Sequence, residues 1–513
     1  MRKVSLLFLT AVFSVNMLFA GGIVTNTNQS AAWVRWLVRD ASLGIDAVYY
    51  NPAGLTKLDN GFHLSLNNQF IFQTQTITCD YPYLSGSPKS YEAKVTALLY
   101  PDIFAAYKIG KFAFSFGVVP IGGGGSADFS DGIASFEIPV SNLDTILSYN
   151  LAAVDGYIQE ETGNDPHFRD ISGYSLDAAL NGSSVYLGFQ GNVSYALSDF
   201  IQISLGARYV SVANTYEGHL TDIHILASEN YGGEQPPATY MDFVADNVEA
   251  QSPYLAMMLR RSAAKLGDAT EDGYVDVKQT GGGWTGIIGV NISPSENLNI
   301  ALKYEHHTKI ELTNETKVDS FAMFPDGAKS RADLPGMLSA GIQYRLMDRL
   351  TLQGGFHYYL DKTAYYGKTA IDTVTGQPIL EPDGSFKQVD NRDFMDGNTW
   401  ELGLGAEFML TRHLGVSAGY LHVTTGANKN YQSAIGYSLS TNTFGGGFVY
   451  NFTDKIRLNV GFDYVIYQSD EVSHNETVVL DSNPLNPKSF DVSYKNIYEK
   501  NTTVFGVGLD ISF

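Results

Sequence analysis

A few groups of side chains in this sequence of 513 residues have the types and spacing for chemistry. Around the turn Met347–Arg349, Ser339 and His357 stand opposite each other on paired strands, with Asp361 a step further along. Nucleophile, base and orienting carboxylate are thus nominally together, as acyl transfer requires. Any polar strand face brings Ser and His together by chance, however, and a barrel lipase would want its nucleophile facing lipid, so the chain is not expected to be an enzyme. Arg208 and Lys303 share the inward parity and could hold a carboxylate at one end of an apolar pocket, since charge pairing is stronger in a shielded cavity than in water. The competing reading is an ion pair with Glu305 or another inward carboxylate. In Glu305-His306-His307, neighbouring strand residues point to opposite faces, so the two His cannot chelate one ion. The Asp-rich stretches "DGIASFEIPVSNLD" and "DATEDGYVDVK" have donors for divalent cations bridging anionic surface lipids, or are ordinary solvated loops. No cofactor and no metal site is expected.

What would position these groups is a set of strands. In "FHLSLNNQFIFQT", Phe62, Leu64, Leu66, Phe70 and Phe72 alternate with His63, Ser65, Asn67, Gln69 and Gln73. The same period of two recurs from Val185, Ile201, Leu298, Leu350, Trp400 and Ile456, and in the closing "VFGVGLDISF". The polar faces carry Arg208, Lys303, Glu305, Arg345, Glu401 and Arg457, which suits a wet lumen with lipid outside rather than a sandwich core. Connections alternate in length. Short ones fall near Ile109–Lys111, Ser198-Asp199, Ser293–Asn297, Met347–Arg349, Thr411–His413 and Thr453–Lys455. Long ones fall at Cys79–Tyr91, Gly122–Gly182, Glu217–Gly281, Thr313–Ala332, Lys362–Asp396, Gly426–Gly436 and Ser469–Tyr498. Seven long and six short connections make about fourteen strands: an all-β transmembrane antiparallel barrel over residues 61–513, with both ends on the periplasmic side and seven long extracellular loops. Trp284, Tyr304, Trp400, Tyr464 and Phe513 read as interfacial girdle residues, or as ordinary aromatic strand formers.

Composition bounds the rest. "MRK" followed by a short apolar run to Ala20 reads as a signal peptide over residues 1–20, cut near Ala20/Gly21, so the chain is exported. No later apolar run is long enough for a membrane helix. The net charge is −21, with 33 basic against 54 acidic residues, and a surface so acidic excludes nucleic acid as a partner. Cys79 stands alone and permits no internal disulfide. The 51 Gly, 32 Tyr and 29 Phe, with only 17% charged residues, fit strands that are greasy on one side only.

Residues 21–60 do not alternate. "NQSAAWVRWLVRDASLG" predicts a helix capped by Asn28 or Ser30, with Trp33, Trp36 and Leu37 on one stripe and Gly44 at its end. A short segment ahead of a barrel is expected to fold into the lumen as a hatch. It closes with "DAVYYNPAGL", whose Asn51-Pro52-Ala53, followed by about fourteen strands and a terminal Phe, resembles the FadL/TodX family of outer-membrane transport proteins. The resemblance implies a monomeric channel in the bacterial outer membrane, among outer-membrane lipids. It implies passive uptake of long-chain fatty acids or other hydrophobic compounds, gated by the hatch, with Phe513 as the handle for the barrel assembly machinery. It also implies exit sideways through a kink in the third strand. That strand here is "KFAFSFGVVPIGGGGSADF", where Pro120 withdraws a ladder donor and Gly122, Gly123, Gly124 and Gly125 remove side chains, unless these residues merely begin the loop. The hatch departs from a Gly-rich pattern in being bulky at Trp33, Trp36 and Leu37. The alternatives are a surface adhesin working through its loops, a general porin, or an outer-membrane lipid hydrolase.

Overall fold

The computed structural model describes residues 25–366, 391–433, 436–481 and 488–513, with residues 379, 381, 382, 387 and 389. The expected signal peptide, residues 1–20, lies outside the described residues. The sheet is built from β1 (Gly61–Cys79), β2 (Lys89–Ile109), β3 (Phe112–Phe129), β4 (Ile171–Ala196), β5 (Ile201–Ala227) and β6 (Gly273–Ser295). It continues through β7 (Leu298–Glu305, resuming at Glu311–Asp319), β8 (Lys329–Arg331, resuming at Met337–Leu346), β9 (Leu350–Tyr359) and β10 (Trp400–Met409). It ends with β11 (Leu414–Thr424), β12 (Thr441–Asn451), β13 (Ile456–Tyr467, resuming at Asp470–Asp481) and β14 (Lys488–Ser512).

Each strand pairs antiparallel with the next, and β14 returns to β1 in a ladder from His63↔Ser512 to Cys79↔Asn496. Fourteen strands therefore close with no free edge, the arrangement in which every backbone group can be satisfied inside a bilayer. The faces are distributed as the alternation requires. Phe62, Leu66 and Phe72 are 41, 44 and 42% exposed on the outside, while His63, Ser65, Asn67 and Gln69 between them are buried toward the lumen. Trp284 and Phe513 are also outside, 68 and 63% exposed, and the Phe513 ring packs tilted against Phe62 at 5.7 Å between ring centroids.

The tight turns all lie at one end. The strands reach further toward the other end than alternation alone predicts. β5 continues to Ala227 and β6 begins at Gly273, inside the expected loop Glu217–Gly281, and β13 pairs with β14 from Asp470↔Tyr498 to Asp481↔Lys488, inside Ser469–Tyr498. These rungs carry Glu217, Asp276, Lys278, Glu471 and Lys495 where lower rungs carry apolar residues, so the ladder continues after the contrast that reveals it has faded.

Six helices complete the molecule: α1 (Ala31–Trp36), α2 (Ala47–Tyr50), α3 (Ala134–Ser141), α4 (Leu143–Thr162), α5 (Pro237–Val248) and α6 (Pro253–Ala269) among the described residues. Helices α3 to α6 cap the loop end, packing Phe136, Leu151, Tyr240, Val244 and Leu259 against Val95, Tyr216 and Val275 of the wall. The stretch "DGIASFEIPVSNLD" is thus no solvated loop: it contains α3, with Ile133, Phe136 and Val140 buried. Among the described residues no group of three or more His, Cys, Asp or Glu is placed to hold a metal ion, and no helix is long and apolar enough to cross a membrane.

Candidate functional site

Residues 25–60 enter the lumen from the turn end. Pro52 O accepts from Ser194 Oγ at 2.6 Å, and Lys57 Nζ reaches Asp199 O in the β4–β5 turn at 2.6 Å. The Ser30 hydroxyl caps α1, accepting from Trp33 N at 3.0 Å. The helix ends at Leu37, whose φ is 59°, and not at Gly44 as the sequence predicts. A longer helix would carry Asp40 away from the wall residue it binds, so tertiary contacts override helical propensity here.

The hatch is fastened at three charged points. Arg35 pairs with Glu407 and donates to Asn459 Oδ1 at 3.2 and 3.1 Å and to Ser417 Oγ at 3.0 Å. His357 of β9 lies between two buried carboxylates, with Nε2 at 2.5 Å from Asp40 Oδ1 of the hatch and Nδ1 at 2.7 Å from Glu401 Oε2 of β10. Both ring nitrogens are thus engaged by carboxyl groups, which ties the hatch to two wall strands through one side chain. The third point is Tyr49. Arg208 and Lys303 sit over its ring at 5.1 and 4.6 Å, and both cations meet Glu305 at 2.7 Å. Lys303 also donates to Tyr49 O at 2.8 Å, and Arg208 to Gln190 Oε1 at 2.9 and 2.7 Å.

Sequence reasoning places Arg208, Lys303 and Glu305 correctly on the lumenal face and weighs the ion pair, but it misses their engagement with the hatch. It also misses Asp40 and Glu401 as partners of His357. Ser339 does pair in register with His357, yet both imidazole nitrogens face carboxylates, and Asp361 accepts from Tyr366 Oη at 2.6 Å and Thr399 N at 2.7 Å. The nominal triad is therefore not assembled. His306 and His307 go separate ways, to Tyr304 Oη at 3.0 Å and Asp333 Oδ2 at 2.8 Å.

Asn51-Pro52-Ala53 is packed against the wall. Asn51 Nδ2 donates to Asn291 Oδ1 at 2.7 Å and to Ser42 O at 3.0 Å, and a Cβ on Gly54, directly after Ala53, would fall 2.5 Å from Asn51 Nδ2 and 2.9 Å from Ser42 O. Tyr50 holds the segment that precedes α1: its hydroxyl donates to Thr27 O at 2.6 Å and accepts from Gln29 N at 2.7 Å.

That preceding segment lies against the third strand. The β2–β3 ladder runs from Ile109↔Phe112 to Ile103↔Val118 and resumes only at Val95↔Ala127, so residues 96–102 face 119–126 with no rung between them. The β3–β4 register also shifts at Pro120/Gly122 and Gly122/Gly125. Thr25 bridges Gly122, Asn26 N donates to Ile121 O at 2.8 Å, and Asn26 Nδ2 donates to Gly123 O at 3.0 Å. Gln29 Nε2 and Tyr100 Oη donate to Pro120 O at 3.1 and 2.6 Å. Three β3 carbonyls at the break, those of Pro120, Ile121 and Gly123, thus accept from Asn26 and Gln29 of the hatch, and Pro120 O also from Tyr100 of β2. Beside them a cavity of about 330 Å³ reaches from Val465, Tyr467, Thr502 and Val504 on the lumenal wall to Leu99 and Pro120 at the break. Leu99 itself is 81% exposed on the outer side.

The family model described as outer membrane protein transport protein (OMPP1/FadL/TodX) matches residues 177–513. The chain belongs to the OMPP1/FadL/TodX family. The match starts within β4, so the hatch and the broken β2–β3 ladder lie outside it and are described from their own geometry. Solved structures share the fold of this OMPP1/FadL/TodX barrel. A Pseudomonas aeruginosa FadL homologue aligns with a TM-score of 0.58 and 13% identity, over 96% of this chain and 100% of that one. The Pseudomonas putida toluene transporter TodX aligns with a TM-score of 0.51 and 12% identity, over 96% and 100%. No curated protein matches the chain.

Proposed function

We propose that this outer-membrane barrel is a passive channel for hydrophobic compounds, which collect in the cavity beside the hatch and leave sideways between β2 and β3. The observation that carries the reading is the continuity of that cavity with a wall segment lacking ladder bonds, plugged by hatch residues and not by strand. An apolar solute needs no catalyst, only a series of sites weak enough to leave, and a lateral exit keeps it out of water. The solved relatives include a toluene transporter and a FadL homologue, so monoaromatic hydrocarbons and long-chain fatty acids are the two cargo classes to compare. Asn51-Pro52-Ala53 serve as the clasp at the turn end, and Pro120 with Gly122–Gly125 as the opening. A carboxylate reaches Arg208 and Lys303 only by displacing Glu305, so these cations act first as anchors of Tyr49.

The test is a lock. In an antiparallel bridge facing Cα atoms lie roughly 4.5–5.5 Å apart, within disulfide range, so Thr25→Cys with Gly122→Cys in a Cys79→Ser background ties the segment over the break. Oxidised cells should stop taking up radiolabelled oleate and toluene, and dithiothreitol should restore both. Wild-type uptake with the disulfide formed would remove the lateral route. Unchanged uptake in cells lacking the protein would remove the hydrophobic channel altogether.

A further inference from the structure

The lumen holds one cation whose charge the described residues leave unanswered. Arg35, Lys108, Arg208 and Lys303 are buried, and each has an ion pair or hydrogen bond to a carboxylate, amide or carbonyl. Lys500 of β14 is equally buried, 8% exposed, but its ammonium meets only two ring faces, Tyr437 at 4.6 Å and Tyr467 at 5.7 Å. Both rings are pinned by their hydroxyls: Tyr437 Oη donates to Glu499 O at 2.6 Å, and Tyr467 Oη shares a hydrogen bond with Thr502 Oγ1 at 3.0 Å. Burying an ammonium without an anion costs more than cation–π contacts return. As a purely structural residue, Lys500 would be a net liability.

Its position gives it a use. Lys500 faces Gln75 of β1, one inward rung loopward of the Gln73↔Thr502 pair that lines the cavity. Beyond that pair lie the apolar residues Ile71 and Val504. Val504 sits four residues along the strand from Lys500, about 13 Å away at strand rise. The carboxylates that line the cavity, Glu401 and Asp463, are on that deeper side. A solute arriving from the loop end therefore meets a caged cation first, then an apolar pocket, then negative charge.

We propose that Lys500, with Tyr437 and Tyr467, binds the anionic head of an amphipathic cargo, a long-chain carboxylate whose tail occupies the cavity below. This rests on the hydrophobic-channel reading and narrows it to one ligand class. The site differs from Arg208 and Lys303 in having no internal anion to displace. The deeper Asp463 and Glu401 set the polarity, head loopward and tail toward the wall break.

Binding of radiolabelled oleate and of oleyl alcohol to the purified, detergent-solubilised full-length barrel separates the possibilities, with heat-modifiable gel mobility as the check on folding. Lys500→Met should weaken oleate binding about tenfold or more while leaving the alcohol within about twofold, since only the charge-assisted contact is lost. Lys500→Arg should retain oleate. If Lys500→Met binds oleate as wild type does, or loses both ligands equally, Lys500 is no head-group site. Wild type that binds the alcohol but not oleate overturns the assignment and leaves the channel. Wild type that binds neither removes the channel reading and the site with it.

Discussion

At the scale of residues, the hatch is held by buried charges contributed from far along the chain. His357 and Asp40 are 317 positions apart, yet they form one unit with Glu401. Replacing His357 by Leu leaves two buried carboxylates facing each other with no donor between. Breaking a buried pair in this way costs about 3–5 kcal/mol, so limited proteolysis should cut the hatch of the His357→Leu barrel under conditions that spare wild type. The internal pair behaves differently with pH. Burial alone would raise the Asp46 carboxyl, but Arg39 at 2.6 Å and the Ser42 hydroxyl outweigh it and hold it below the usual carboxylate range. A lowered carboxyl contributes stability that is complete above its unfolded value and lost only as pH falls through the folded one. The Asp46 share of the hatch's protease resistance, read as the difference between wild type and Asp46→Asn, should accordingly stay flat from about pH 8 to 5 and shrink only below about pH 4. A drop near neutrality would assign the control to another group. The lumenal parity of Arg208, Lys303, Glu305 and His357 was legible because strand periodicity determines the face. Their partners were not, because periodicity says nothing about what a plug brings into the lumen.

At the scale of elements, α1 rests on a floor of backbone. A Cβ at Gly419 of β11 would lie 2.0 Å from Trp36 O, and one at Gly355 of β9 would lie 2.1 Å from Asp40 Oδ2. Strand glycines that look like weak points in a ladder are close approaches that admit the helix. Gly419→Leu should therefore eject α1 while the ladder stays intact: gel mobility remains heat-modifiable, and hydrogen exchange over residues 31–50 rises. Strands were readable wherever an apolar outer face met a polar inner one, and the turn and loop lengths supplied their number. The capping helices were hidden in segments classed as loops, although "LDTILSYNLAAVDGYI" and "PYLAMMLRRSAAKL" carry a helical spacing of apolar residues. Lys500 precedes the last ten residues, where the alternation of β14 is plainest. The parity of Tyr498, Lys500, Thr502 and Val504 continues that inward face and was the available signal.

At the scale of the whole molecule, barrel and cap are separable. The β5–β6 ladder, from Ile201↔Ile292 to Leu220↔Gly273, is made by backbone pairs of the two strands themselves, with α5 and α6 in the connection between them. Exchanging residues 236–270 for a short Gly-Ser linker should leave a closed barrel by gel mobility. It should also uncover the apolar residues that these two helices cover, Leu151, Tyr216 and Val275 among them, read as increased binding of a solvatochromic dye. Closure, strand number and inside-out polarity followed from alternation, because each is a property of the sheet as a whole. The break beside Pro120 was legible only as two equal possibilities, since a Pro before a run of Gly describes a loop start and a kinked wall alike. The floor of glycine has a further consequence for the cell. Where Gly355, Gly419 and Gly445 form the wall, no side chain narrows the bore once the plug is gone, so a strain producing the barrel without residues 25–60 should become sensitive to bulky glycopeptide antibiotics that an intact outer membrane keeps out.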